Sequence, residues 1–181
     1  MDLVGAREAI RLRPVITKDE IDAWLDVLSV RLNDHYGAEP LLAVGVLKGA
    51  IFFFCDLVRR LKMPLMIDFV QLASYGLGTT SMGRVRFLKD LDLSIAGENV
   101  LVVDDIVDSG RSLAFLIGVL AARHPKSLAS CVLIDKYERR EVEFQADFSG
   151  FRLDKGYVVG YGMDCAERYR ELDGIFELDE F

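Results

Sequence analysis

The chain is poor in the residues that mark several common protein classes. Its 181 residues hold three cysteines, an odd number with no Cys-x-x-Cys spacing. That argues against a disulfide framework or a thiolate zinc site. Cys55 and Cys131 sit in apolar runs and read as buried thiols. Cys165 has no histidine near it in sequence, so it receives no nucleophilic role. The two histidines, His35 and His124, fall at predicted helix ends and receive no role either. No uncharged apolar run approaches the roughly 20 residues of a membrane span. The first residues include Asp2, Arg7 and Glu8 and form no apolar signal core. The reading is a soluble, cytoplasmic protein with no membrane contact. Excess basic charge is also missing. The sequence has 22 Lys and Arg against 29 Asp and Glu, a net charge of −7. Such a balance argues against a broad nucleic-acid surface. Neither Gly-x-x-x-x-Gly-Lys-Ser/Thr nor Gly-x-Gly-x-x-Gly occurs, which disfavours the ordinary nucleoside-triphosphate and dinucleotide folds.

There is no internal repeat and no Pro/Ser/Gly-rich linker. With 51% hydrophobic residues the chain has enough apolar material for one core, and residues 1–181 read as a single domain. Thr17-x-x-Glu20 has the pattern of a capping box, and Ile21, Trp24, Leu25, Leu28 and Leu32 follow at helical spacing. Gly37 stops that helix. Leu41 to Leu47 reads as a buried strand, Gly49 to Leu61 as a helix and Pro64 to Gln71 as a second strand. Ala73 to Gly83 is rich in Ser, Gly and Thr and reads as a mobile loop, with a short strand at Val85 to Leu88. Asn99 to Asp104 is a strand, Leu113 to Arg123 a helix, and Ser130 to Ile134 and Tyr157 to Val159 are further strands. Met1 to Val15 receives no assignment. Strands and helices alternate, which predicts an α/β fold with a mainly parallel central sheet flanked by helices. Ligands bind off the carboxyl ends of strands in such sheets.

The chemistry concentrates in Val100 to Ser112, where an apolar run ends in Asp104-Asp105. After two apolar residues comes Asp108, then Ser109-Gly110-Arg111-Ser112 and a helical pattern. Acids at a strand end suit sugar hydroxyls and Mg²⁺; amides at a helix N-terminus suit a phosphate. A ribose 5-phosphate carries both groups. Asp108 or Ser109 also reads as a plain N-cap, a role compatible with a phosphate loop. Lys48 and Lys136 each follow a predicted strand. Alone, Lys48 reads more readily as a surface lysine before a helix, Lys136 also as a solvated strand-end lysine, and Tyr157 as a strand aromatic in the core.

The acidic stretch resembles the phosphoribosyl pyrophosphate motif of type I phosphoribosyltransferases. Val44 to Ala50, Ser74-Tyr75-Gly76, Leu133 to Lys136 and Val158 to Asp164 occur in the matching order. Together they resemble a hypoxanthine or hypoxanthine-guanine phosphoribosyltransferase from about Thr17 to about Phe176. The resemblance implies a type I phosphoribosyltransferase-like sheet with a small hood from the C-terminal segment. It implies that Leu47, Lys48 and Gly49 form a pyrophosphate loop with a non-proline cis peptide. Asp104 and Asp105 match the acids that hold the ribose hydroxyls and order Mg²⁺. The family usually has Glu-Asp there, and the shorter Asp104 points to a water-mediated contact. Asp108 matches the acid that manages the proton near purine N7. Ser109, Gly110, Arg111 and Ser112 match the 5′-phosphate loop. Lys136 matches the donor to O6 of a 6-oxopurine, and a lysine has donors only, so it favours a keto oxygen over an amino group. Tyr157 matches a residue stacked on the base, and Val158 one that offers backbone groups to its edge. Asp164 matches a second Mg²⁺ ligand and Arg170 a pyrophosphate-binding arginine. Ser74 and Tyr75 match a loop that closes over the site.

The implied reaction transfers the 5-phosphoribosyl group of phosphoribosyl pyrophosphate to N9 of a 6-oxopurine base and releases pyrophosphate, with Mg²⁺, in a homo-oligomer (dimer or tetramer) without nucleic acid. Two alternatives stay open. One is a related transferase for xanthine, adenine or a pyrimidine. The other is an RNA-binding regulator on the same fold. Such regulators usually carry Tyr at the position of Asp108 and lack the Val158 to Asp164 pattern.

Overall fold

The computed structural model describes residues 11–75 and 84–178. Two sheets account for its strands. The larger contains β2 (Leu41–Leu47), β3 (Leu65–Tyr75), β4 (Arg84–Lys89), β5 (Asn99–Val107), β6 (Ser127–Lys136) and β7 (Phe148–Leu153) in the order β4-β3-β2-β5-β6-β7. All its pairings are parallel except β3 with β4. The smaller sheet is antiparallel and orders β1 (Leu12–Ile16), β9 (Ile175–Leu178) and β8 (Val158–Val159) side by side.

The central strands are apolar on both faces because both faces are covered. Successive side chains of a strand point to opposite sides. Leu41 and Ala43 of β2 therefore join Leu101 and Val103 of β5 in one core cluster, beneath α1 (Lys18–Tyr36) and α2 (Ile51–Val58). Leu42 and Val44 join Val100 and Val102 in the other cluster, beneath Leu113, Leu116 and Leu120 of α3 (Arg111–Ala121). Helix α1 starts as its sequence demands. The Thr17 hydroxyl accepts from Glu20 N at 3.3 Å, and the Glu20 carboxylate accepts from Thr17 N at 2.8 Å. Gly37, at φ 59°, ends the helix.

Several expectations need correction. Helix α2 is shorter than the predicted Gly49 to Leu61. Strand β5 runs past the predicted end at Asp104 to Val107, so Asp105 also lies within the strand. Strand β3 extends to Tyr75, so Ala73 to Tyr75 are strand and not loop; their pairing with β4 supplies backbone bonds that composition does not reveal. The remainder of that expected loop, 76–83, lies outside the described residues. Strands β1, β7 and β9 escaped prediction; β1 and β7 are edge strands with mixed burial. The hood is thus not made by the C-terminal segment alone, because β1 supplies one of its three strands.

A buried carboxylate fixes the turn after β4. Asp68, 5% exposed, accepts from Phe69 N at 2.7 Å, Asp92 N at 2.8 Å and Leu93 N at 2.9 Å, with Lys89 Nζ at 3.5 Å. Burial alone would raise its pKa, but these donors and the Lys89 charge outweigh it and hold the carboxyl below its ordinary value. A folded-state pKa below the unfolded value gives stability that is present above the unfolded pKa, about 3.9. That stability is lost as pH falls through the folded value. Asp68→Asn is expected to cost about 1–3 kcal/mol at pH 7 and clearly less near pH 3, read by urea denaturation at both pH values.

Candidate active site

The parallel register sets the carboxyl ends of β2, β5 and β6 side by side. Gly45 lies opposite Val103, Asp104 opposite Val132, and Val107 opposite Asp135. The loops that leave these strands meet over that edge, and the hood closes them from above.

The first loop carries Leu47, Lys48 and Gly49, and the Leu47–Lys48 peptide is cis. Gly49 has no room for a side chain, because a Cβ there would run into the Asp105 carboxylate. The hood packs as closely on the other side. Gly162, at φ 106°, lies so near the Gly49 carbonyl that a Cβ would overlap it. The Tyr161 hydroxyl fastens the same hood turn to α2, donating to Asp56 at 2.6 Å.

The second loop follows β5. Asp104 is 8% exposed, and its Oδ1 accepts from Asp105 N at 3.0 Å. Burial, reinforced by the neighbouring Asp105 charge, raises the Asp104 carboxyl well above its ordinary range. Burial raises Asp105 as well, against hydrogen bonds from Asp104 and Ile106 and the charge of Arg170. Neither Asp108 nor Ser109 caps α3. Its N-cap is Gly110 at φ 82°, and no side chain caps the helix. Ser109 Oγ accepts only a long 3.4 Å bond from Arg111 N. The first amides of α3, next to Ser112, therefore point to a place suited to an anion. Arg111 Nε is paired with Glu141 at 2.5 Å.

The third element is Lys136, the last residue of β6. It is 5% exposed, which excludes a solvated strand-end lysine. Its ammonium lies 3.8 Å from Asp108 Oδ1 and 3.5 Å from Glu138. Asp108 Oδ1 is buried and has no hydrogen-bond partner. Both groups line a cleft of about 190 Å³, together with Asp105, Ile106, Arg139, Tyr157, Val158, Met163 and Asp164. Tyr157 is 49% exposed and belongs to this wall, not to the core. Its hydroxyl donates to the Asp164 carbonyl at 3.0 Å, and burial, with Cys165 and Asp164 adding to it, pushes the phenol up.

Arg170 donates to Gly162 O at 2.7 Å and pairs with Asp164 at 2.8 Å and Glu167 at 3.1 Å. The structure thus brings eleven of the seventeen sequence-predicted residues to one edge of the large sheet: Leu47, Lys48, Gly49, Asp104, Asp105, Asp108 to Ser112 and Lys136, while Tyr157 and Val158 stand at the hood strand β8. Asp164 and Arg170 face them from the hood. Ser74 and Tyr75 are placed at the end of β3, paired with Val85 and Arg84. Among the described residues no three Asp, Glu, His or Cys side chains gather as a metal site.

Sequence reasoning missed Arg140. Its guanidinium reaches Val107 O at 3.4 Å, Asp108 O at 3.0 Å, Lys136 O at 2.9 Å, Phe144 O at 2.6 Å and the Asp135 carboxylate at 2.5 Å. It therefore fastens the loop of Asp108 to the strand end of Lys136. Backbone N–H groups of Glu141 and Val142 add bonds to Ser109 O at 3.0 and 3.1 Å. Most of these partners are main-chain carbonyls, which leave no signature in a sequence. Glu167, which meets both Lys48 and Arg170, was missed for a similar reason: it lies in Glu167-Arg168-Tyr169-Arg170, which reads as a solvated face.

Comparison with known proteins agrees with this geometry. Residues 18–166 match the phosphoribosyl transferase domain family. The chain is 44% identical over 175 residues to the bifunctional protein TilS/HprT of Listeria monocytogenes, covering 95% of this chain but 27% of that protein. It thus spans about a quarter of the length of that relative. It is 41% identical over 161 residues to a hypoxanthine-guanine phosphoribosyltransferase of Bacillus subtilis, covering 89% of each. A crystal structure of a hypoxanthine-guanine phosphoribosyltransferase from Bacillus anthracis superposes with a TM-score of 0.87 at 37% identity, covering 94% of this chain and 100% of the other. The chain belongs to the phosphoribosyltransferase family, in its hypoxanthine and hypoxanthine-guanine branch.

Proposed function

We propose that the chain transfers a 5-phosphoribosyl group from phosphoribosyl pyrophosphate to N9 of a 6-oxopurine, giving IMP or GMP and pyrophosphate in purine salvage. One observation carries this reading. A buried lysine, Lys136, faces an unpartnered carboxylate oxygen of Asp108 in a cleft walled by Tyr157 and Val158. That arrangement suits a flat base that presents a keto oxygen to the ammonium and a ring nitrogen to the carboxylate.

Each remaining group has a part in the same chemistry. The uncapped amides of Ser109 to Ser112 take the 5′-phosphate. Asp104 and Asp105 hold the ribose hydroxyls. Breaking the bond from C1 to pyrophosphate leaves cationic character on the ribose ring, and Lys48 and Arg170 stabilise the departing anion. Asp108 manages the proton of the base as the new bond forms. Tyr157 stacks on the ring, and Val158 meets its edge through backbone groups. Ser74 and Tyr75 belong to a segment that excludes water, the competing nucleophile.

The acids of the site fit magnesium. The Asp105 charge repels that of the buried Asp104, a repulsion that a divalent cation relieves, and Asp164 stands on the hood. Magnesium takes one or two carboxylates along with water and substrate phosphates, so it needs no closed cage of side chains. When bound, it offsets charge on the pyrophosphate. A homo-oligomer, in the cytoplasm, belongs to the same proposal.

The direct test is pyrophosphate release from phosphoribosyl pyrophosphate and Mg²⁺, with hypoxanthine, guanine, xanthine, adenine and uracil offered separately. Turnover with hypoxanthine or guanine supports the reading. Tight binding of phosphoribosyl pyrophosphate without turnover on any base would overturn it in favour of a regulator. Asp108→Ala is expected to lose about 10²–10⁴ in kcat, while phosphoribosyl pyrophosphate affinity, read by calorimetry, changes little. Lys136→Ala removes a charged hydrogen-bond donor. It is expected to lower kcat/KM for hypoxanthine by about 10- to 200-fold and to narrow the preference over adenine in the same base panel.

A further inference from the structure

Lys48 and Arg170 approach each other from opposite sides of the site. Lys48 comes from the sheet, on the loop after β2, and Arg170 comes from the hood. One carboxylate oxygen joins them: Glu167 Oε2 lies 3.0 Å from Lys48 Nζ and 3.1 Å from Arg170. The Glu167 side chain is 66% exposed and that of Lys48 55% exposed, whereas that of Arg170 is 22% exposed. The arginine is therefore the fixed partner, held by the Gly162 carbonyl and Asp164. Its Nε is buried without a partner.

The backbone aims Glu167 at this place. Ala166, Glu167 and Tyr169 have φ of 51°, 62° and 76°, a conformation that residues with a Cβ adopt rarely. The turn holds its shape through Glu167 N, which donates to the Asp164 carboxylate at 2.8 Å. The charges of Lys48 and Arg170 keep the Glu167 carboxyl below its ordinary range, so it is ionised at neutral pH. With Asp164, the two cations and two carboxylates form a neutral cluster. Lys48 and Arg170 are also the two side chains assigned above to pyrophosphate. An anion bridging them has to replace the Glu167 carboxylate.

We propose that Glu167 is the internal competitor of pyrophosphate: it bridges Lys48 and Arg170 while the subsite is empty, swings away when pyrophosphate or its phosphoribosyl ester enters, and helps to expel the product on its return. The inference rests on Lys48 and Arg170 being the pyrophosphate cations. Displacement is easy because the carboxylate is exposed. Two exposed ion pairs together are worth about a two- to thirtyfold change in an equilibrium constant. Glu167 is a positioning residue and takes no part in bond making.

The probe is inorganic pyrophosphate with Mg²⁺, titrated calorimetrically into the intact protein at fixed ionic strength. Glu167→Gln keeps the shape and removes the charge. It is expected to tighten pyrophosphate binding by about two- to thirtyfold, to slow pyrophosphate release and to lower KM for phosphoribosyl pyrophosphate. Unchanged or weaker binding, in a variant whose thermal unfolding matches the parent, overturns the proposal; a side chain that merely braced the two cations would give that weaker binding. Glu167→Asp retains the charge and is expected to fall between the two. Lys48→Gln and Arg170→Gln test the reading beneath it. If neither weakens pyrophosphate binding, the cation assignment fails and the proposal falls with it.

Discussion

The parallel pairing of β5 between β2 and β6 is the constraint on which the rest depends. It places three strand ends on one edge, so that residues distant in sequence become neighbours: Lys48, Asp105 and Lys136. The apolar clusters on both faces hold that register, because a slip of one residue would exchange the faces of every side chain in the strand. The close contacts at Gly49 then follow. A Cβ on Gly49 would run into the Asp105 carboxylate, and a Cβ on Gly162 into the Gly49 carbonyl. The second contact brings the hood down onto the sheet, and Tyr161 holds it there through Asp56.

Charge is distributed over this edge with little slack. Four cations of the site already meet carboxylates: Lys48 meets Glu167, Arg111 meets Glu141, Lys136 meets Asp108 and Glu138, and Arg170 meets Asp164. In a chain with net charge −7, these local pairings leave a few placed cations to meet an anionic ligand against an acidic background. Asp104 and Asp105 are the opposite case. They are adjacent acids, Asp104 buried and Asp105 at the cleft wall, and the penalty on their charges makes a cation welcome. Phosphate is met differently, by the amides at the start of α3, a helix without a side-chain cap.

Much of this was legible in the sequence. Strand β2 falls on Leu41–Leu47 as its unbroken apolar run predicts, and the Thr17 capping box forms as its spacing predicts. Such signals are local, so one segment carries them whole. The edge strands β1 and β7 and the hood strand β9 were invisible, because short strands owe their form to their partners. The extension of β3 to Tyr75 has the same origin, since β4 supplies its pairing. At the site, the acidic run and the two lysines stood out by residue type and by their place after apolar runs. Arg140 and Glu167 did not, since an arginine bound to carbonyls and a glutamate in a charged turn look like ordinary surface. The burial of Lys136 and the exposure of Tyr157 were also beyond the sequence, which left each with an alternative that only packing removes.

The account stands or falls on one composite site, and a crystal structure of the chain with phosphoribosyl pyrophosphate, Mg²⁺ and an unreactive analogue of hypoxanthine tests it most directly. The account predicts the base against Tyr157 with its oxygen toward Lys136 and a ring nitrogen toward Asp108. It places the 5′-phosphate on the amides of Ser109 to Ser112 and the pyrophosphate between Lys48 and Arg170. A base bound away from Lys136, or a 5′-phosphate that leaves the start of α3 empty, would contradict it.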